Sequence, residues 1–303
     1  MQGFQNKALL VRSRRFPKRD GFGYARAMRI DAHHHLWHYT TEAFGWIESG
    51  SAIARDFGTD DLAEEMAASG IDRAVAVQAR QSEAETDFLL DCVAHQPRIA
   101  GVVGWIDLRA PDIAERIATR PAGPIVGYRH VVQDELDADF LLGDAFVAGV
   151  RAVLASGLSY DVLVNAAQLG TLPRFFDRVG EGRLILDHAA KPNIAAGVWQ
   201  PWAEQIAAAA RYPNLFCKVS GLITEAARDW QPDDFERYLD HVFACFGADR
   251  ILWGSDWPVC QLAGRYADTH DLIARYVARH CPEMESAVFG GNAARAYALK
   301  SSE

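Results

Sequence analysis

Short runs of β-branched and aliphatic residues recur along the chain, separated by stretches in which apolar residues return every three or four positions. The first four are "RIDAH" (29–33), "RAVAVQ" (73–78), "IAGVVGWIDL" (99–108) and "IVGYRH" (125–130). "YDVLVN" (160–165), "RLILDH" (183–188), "NLFCKVSG" (214–221) and "RILWGSD" (250–256) follow. Apolar runs of this length, bounded by polar residues, read as buried strands. Between them "TDDLAEEMAASG" opens on Thr/Asp and closes on Gly, the start and stop signals of a helix. "ETDFLLDCVAHQ", "ADFLLGDAFVAGVRAVLASG" and "QPWAEQIAAAARY" predict helices in later gaps. Alternation of this kind implies parallel βαβ units. Eight strands are also the number that closes an α/β fold into a distorted (β/α)8 TIM barrel, although an open sheet would show the same alternation. No linker or change of composition interrupts residues 28–303, which read as a single barrel domain.

In such barrels the active site lies at the C-terminal ends of the strands. Those ends carry, in order, His33 and His35, Gln78, Asp107, Arg129 and His130, Asn165, His188, Lys218 and Asp256. Singly, each has an ordinary explanation: Asp107 as a helix cap, Lys218 as a solvated strand end, His188 as a packed core histidine. Together they form a ring of polar groups that a purely structural barrel does not need. Alternate side chains of a strand share a face, so His33 and His35 project together and His34 points away. In "LDHAAKP" and "WGSDWPV" an apolar strand delivers His188 or Asp256, and a nearby proline stops the strand from continuing. Three imidazoles and a carboxylate converging above a barrel suit a divalent ion or general acid–base work.

Charge and composition narrow the classes of function. The 303 residues are half hydrophobic and carry a net charge of −9, which disfavours nucleic acid and anionic membrane surfaces as partners. Cys92, Cys217, Cys245, Cys260 and Cys281 are scattered without a CxxC pair, as expected of reduced thiols in a cytoplasmic protein. No apolar run is long enough to span a bilayer. The first 27 residues stand apart, with seven basic side chains against the single acid Asp20. "ALLV" is too short for the apolar core of a secretory signal. Met28 stands directly before "RIDAHHH", so residues 1–27 read as a dispensable, poorly ordered extension from an upstream start codon.

"IDAHHHLW", "VVGWIDLRAP", "YRHVVQDE", "LDHAAKP", "CKVSGLITEA", "WGSDWPVC" and "GNAARAYAL" together resemble the sugar-lactonase branch of the amidohydrolase superfamily, closest to the L-fuconolactonase type. The resemblance runs from Arg29 to Leu299. It implies a distorted (β/α)8 barrel that hydrolyses the ring of a sugar-acid lactone, L-fuconolactone or a related aldonolactone, in carbohydrate catabolism. By position, His33 and His35 match the first-strand HxH of the family, His188 its sixth-strand histidine and Asp256 its eighth-strand aspartate. The middle residue of that motif is commonly Gln, and here it is His34. The end of the fourth strand has no lysine to serve as a carbamylated metal bridge. The resemblance therefore implies either no required cofactor or one divalent metal, Zn²⁺ foremost, on His33, His35, His188 and Asp256. In the expected reaction Asp256 accepts a proton from the attacking water and returns it to the departing ring hydroxyl, while the histidines polarise the carbonyl. Gln78, Arg129, His130 and Lys218 are then candidates for the substrate's polar groups. Trp37 and Trp257 are candidates to stack on the sugar, though ordinary packing explains them equally well. The expected partner is a small sugar lactone, and a homo-oligomer is left open. Two rivals share these features: a zinc-dependent decarboxylase of carboxylated aromatics on the same barrel, and a sugar-binding barrel without catalysis.

Overall fold

The apolar runs become eight parallel strands paired in chain order: β1 (Ile30–His34), β2 (Arg73–Val77), β3 (Ile99–Gly104), β4 (Ile125–Val131), β5 (Ser159–Leu163), β6 (Arg183–Leu186), β7 (Leu215–Val219) and β8 (Ile251–Trp253). This computed structural model describes residues 27–120 and 123–300; the basic extension, Ala27 apart, lies outside the described residues. The sheet curls until the chain just beyond β8 meets β1. There the Asp256 amide donates to the His33 carbonyl at 2.8 Å and the His35 amide to the Trp257 carbonyl at 2.6 Å. With helices between its strands, the molecule is a nearly closed (β/α)8 barrel.

Strands buried on both faces explain the near-continuous apolar runs. Ile30, Ala32, Val75, Val77, Val103, Ile185 and Leu252 cluster inside the barrel with Ala293, Ala296 and Tyr297. The last three belong to α9 (Asn292–Ala296) and its exit. Tyr297, Ala298 and Leu299 line a cavity with Arg73, Ile125, Leu158 and Arg183, which begin or precede their strands. The C-terminal segment thus stoppers the N-terminal end of the barrel and leaves the opposite end for chemistry. Outside the barrel, α7 (Asp233–Phe246) shows how the helices attach. It buries Phe235, Tyr238, Leu239, Val242, Phe243 and Phe246 on one stripe of helical period.

Two local departures from the simple pattern matter for the site. Along β1, Asp31 pairs with Ala74 but His34 pairs with Ala76, so β1 carries one residue more than β2 over this stretch. Such a bulge resets the alternation of side chains. Ile30 and Ala32 join the inner cluster, Asp31 accepts from Ser255 and Tyr266, and His33 still reaches the interior. His34 is fully buried, and burial pushes its imidazole down to about 3, so it stays neutral. The second departure is that several strands end earlier than the apolar runs. Trp105–Leu108, Asp187–His188 and Ser255–Asp256 leave the ladder and turn over its rim. The predicted helix over 138–157 likewise splits at Gly143 into a short turn, Phe140–Leu142, and α4 (Asp144–Ala155). Among the described residues no helix is long and apolar enough to cross a membrane.

Candidate active site

Four side chains from three strand ends meet around one oxygen. Asp256 Oδ1 lies 3.3 Å from His35 Nε2, 3.6 Å from His33 Nε2 and 3.9 Å from His188 Nε2. The backbone that presents them is unusual. His188, Ala189, Ala190 and Lys191 all have φ between 48° and 57°, a left-handed turn that costs roughly 1–2 kcal/mol per residue without glycine. The turn is held because Trp202 donates its indole N–H to the Ala189 carbonyl at 2.8 Å and the Lys191 amide closes on the His188 carbonyl. Asp256 is also left-handed, at φ 57°, a conformation Asp tolerates better than most residues. Gly221, at φ 63°, passes so close that a Cβ there would sit 2.6 Å from His188 Nδ1 and 2.9 Å from Asp256 Oδ2.

Beneath this cluster the barrel interior is ionic. Lys218 Nζ lies 2.6 Å from Asp161 Oδ2, 2.8 Å from Asp187 Oδ1 and 3.0 Å from His33 Nδ1. Arg129 Nη1 reaches Asp187 Oδ2 at 2.9 Å and lies 3.3 Å from His33 Nε2, while its Nη2 donates to the Gln78 carbonyl. Tyr297 donates to Asp161 Oδ2 at 2.6 Å. Two cations and two carboxylates balance, the condition for so many charges to survive burial. Burial first, then the Lys218 charge, drives the His33 imidazole well below its ordinary range. Burial, only partly offset by Asp256 and Asp187, pushes His188 down to about 4. Burial would raise the Asp256 carboxyl, but the neighbouring imidazoles, His188 foremost, outweigh it and hold Asp256 well below the usual carboxylate range.

The hydrogen bonds assign the tautomers. His35 Nδ1 lies 2.7 Å from the Val77 carbonyl, which can only accept, so Nδ1 carries the proton and Nε2 presents a lone pair towards Asp256. Lys218 and Arg129 can only donate, and the shorter contact decides. His33 Nδ1 accepts from Lys218 at 3.0 Å, and Arg129 Nη1 gives its proton to Asp187 at 2.9 Å rather than to Nε2 at 3.3 Å. The His33 proton therefore sits on Nε2, 3.2 Å from His35 Nε2. The His35 lone pair and the Asp256 carboxylate, 3.3 Å apart, are two acceptors that a proton or a cation between them would reconcile. His33, His35 and Asp256 present ligand atoms close enough to share an ion, as do His33, Asp187 and His188. The donor set fits a divalent ion provided His33 adopts its other tautomer, with Nδ1 donating to Asp187 Oδ1 at 3.5 Å.

The cluster forms the floor of a cavity of about 480 Å³, lined by His35, Arg129, His188 and Asp256 among the sequence candidates. Other candidates sit elsewhere. Lys218 is fully buried in the ionic layer, and Gln78 donates from within the barrel to the Arg129 carbonyl at 3.3 Å. His130 turns to Glu135, 2.7 Å from its Oε1, and stacks on Phe140. Trp37 and Trp257 are both buried, packed against Phe57, and Trp37 donates to the Arg55 carbonyl. Asp107 and Asn165 accept amides of their own turns. The cavity wall instead brings in Trp46, 48% exposed, together with Arg80, Gln133 and Lys191. Sequence reading passed over these loop residues and over Asp161 and Asp187. An aspartate interrupting the apolar run "YDVLV" was the available signal for a charge facing the barrel interior.

Comparison with known proteins matches the chain over residues 30–299 to the family described as Amidohydrolase. The chain is 40% identical over 288 residues to an L-fucono-1,5-lactonase of Burkholderia multivorans, covering 90% of this chain and 97% of that protein. It is 38% identical over 278 residues to an L-fucono-1,5-lactonase of Burkholderia ambifaria, covering 89% and 96%. Its fold matches a crystal structure of an amidohydrolase from Burkholderia multivorans with bound zinc. The TM-score is 0.87 at 40% identity, with 90% of this chain and 100% of that chain covered.

Proposed function

Because this chain belongs to the amidohydrolase family and is a hydrolase that opens lactone rings, we propose that its substrate is a sugar-acid lactone, L-fuconolactone or a related aldonolactone. The observation that carries the reading is Asp256 Oδ1, ringed by three imidazole nitrogens on the floor of a cavity of about 480 Å³. A lactone is an activated ester, so hydrolysis needs an aligned water, a base and a donor for the oxyanion, and little more.

In the proposed reaction water attacks the ring carbonyl as Asp256 Oδ1 takes its proton, with the His35 lone pair beside it. The His33 Nε2–H and the Arg129 guanidinium supply donors for the tetrahedral oxyanion. Collapse breaks the bond to the ring oxygen, and the proton held by Asp256 passes to that oxygen, yielding the free hydroxy acid. Trp46, rather than Trp37 or Trp257, is placed to cover the apolar face of the sugar. A bound divalent ion, held by His33, His35, His188 and Asp256, would supply Lewis-acid polarisation and a more acidic water.

A panel of aldonolactones followed by proton release tests the reading. Rapid opening of at least one supports it. Failure on all, with carbon dioxide released from carboxylated aromatics instead, would replace it with the decarboxylase alternative. Dialysis against a strong chelator is expected to leave much of the activity, because His33 in its present tautomer and Arg129 already offer donors to the carbonyl. Complete loss restored by Zn²⁺ would show that the ion is required.

A further inference from the structure

One buried carboxylate lies beside the cavity but outside the chemistry proposed for it. Glu85, in the first turn of α2 (Glu83–His95), is 3% exposed and accepts the Ala79 amide at 2.5 Å and the Arg80 amide at 2.9 Å. Its Oε2 also lies 3.3 Å from Arg80 Nε. Ala79, Arg80 and Gln81 form the loop after β2, and all three line the cavity. Gln81 is anchored in turn, its Oε1 accepting the Val131 amide at 3.0 Å from the end of β4. The Phe44 ring lies 5.6 Å from the Arg80 guanidinium carbon. A carboxylate at a helix N-terminus commonly serves the helix alone. This one spends both oxygens on the backbone of a substrate-facing loop.

We infer that Glu85 is a positioning residue that fixes the loop after β2, and through it Arg80, for the hydroxyl groups of the substrate. The inference rests on the lactonase reading. Glu85 touches no reacting atom, so its loss acts on binding: without the clamp the loop samples other positions and Arg80 must be ordered at the substrate's cost. The charged groups facing Glu85 are Arg80 from its own loop and, further off, Arg129 from β4. Burial pushes its carboxyl up to about 7 against the two amide bonds and the two arginines. Below that pH Glu85 takes a proton and one of its acceptor positions is lost.

Glu85→Gln keeps the shape but turns an NH₂ group towards a backbone N–H. On the best aldonolactone of the panel, KM is expected to rise about tenfold, the loss of one charge-assisted hydrogen bond, with kcat changed far less. On δ-valerolactone, which has no hydroxyl groups, KM should stay at the wild-type value. Wild-type KM for the aldonolactone should rise as pH falls through about 7, and the variant's should be high and flat. Arg80→Ala, a substitution of a partly exposed side chain, should reproduce the KM rise if Glu85→Gln does not fold. Hydrogen exchange of the Ala79 and Arg80 amides, faster in Glu85→Gln than in wild type at one pH, reads the clamp whether or not any lactone is turned over. Wild-type KM in either variant overturns the proposal. So does an equal loss on both lactones, which would mark general damage, or unchanged exchange of the two amides. A wild-type enzyme that opens no lactone would instead sink the lactonase reading.

Discussion

Asp256→Asn is expected to lower kcat by about 10²–10⁴-fold, the range for removal of a general base, with the barrel intact. The two side chains are nearly the same shape. Asp256 sits at φ 57°, a left-handed conformation that Asn tolerates as well as Asp, so the turn after β8 has no reason to move. The Asp256 amide bond to the His33 carbonyl, which helps close the barrel, is a main-chain contact and survives the substitution. What is lost is the carboxylate within 3.9 Å of three imidazoles, the group proposed to take the water's proton. KM should change less than kcat, because the proposed reading assigns the substrate's hydroxyl groups to the cavity wall. Circular dichroism and thermal unfolding of the variant would confirm the fold. Near-full turnover in a folded variant would remove Asp256 from the mechanism, and a KM change as large as that in kcat would reduce it to positioning.

The elements that position the site are legible in the sequence because barrel strands are buried on both faces. Their apolar runs, and the titratable residues where those runs stop, mark the rim without any knowledge of packing. His33, His35, His188 and Asp256 emerge from that rule, and the structure brings them together. Depth is what the rule does not report. Lys218 precedes the end of β7 by one residue, and its long side chain turns into the barrel to neutralise Asp161 and Asp187. At sequence level a lysine at a strand end looks like a solvated or substrate-binding group, since nothing local records the two aspartates contributed from β5 and the end of β6. Trp46 illustrates the opposite difficulty. Proximity to the HxH motif favours Trp37, yet Trp37 is buried edge-on against Trp46, and the loop after β1 carries the latter to the cavity. Loops follow tertiary contacts more than periodicity, so their residues are found only in the folded molecule.

Gly221→Ala is expected to cost about 10²-fold or more in kcat/KM without altering any group that does chemistry. Gly221 follows Ser220, whose hydroxyl lies 2.9 Å from His188 Nδ1, and its own φ of 63° is one that alanine resists by roughly 1–2 kcal/mol. The added methyl would lie 2.6 Å from His188 Nδ1 and 2.9 Å from Asp256 Oδ2, both closer than real contacts allow, and 3.0 Å from His188 Cγ, which is tight. Neither neighbour can yield freely. His188 is presented by the left-handed turn anchored on Trp202, and Asp256 by a turn bonded to β1. The variant must therefore move His188 away from Asp256 or shift the loop after β7, and a displacement of about 1 Å at a reacting centre is worth about 10²-fold. Gly264→Ala provides the contrast: there φ is unstrained and the nearest atoms are the flexible ends of Ile223 and Asp268, at 3.1 and 3.3 Å. It should retain most of the wild-type kcat/KM. If Gly221→Ala is as active as Gly264→Ala, the packing of Gly221 against His188 and Asp256 does not set the geometry of the reacting cluster.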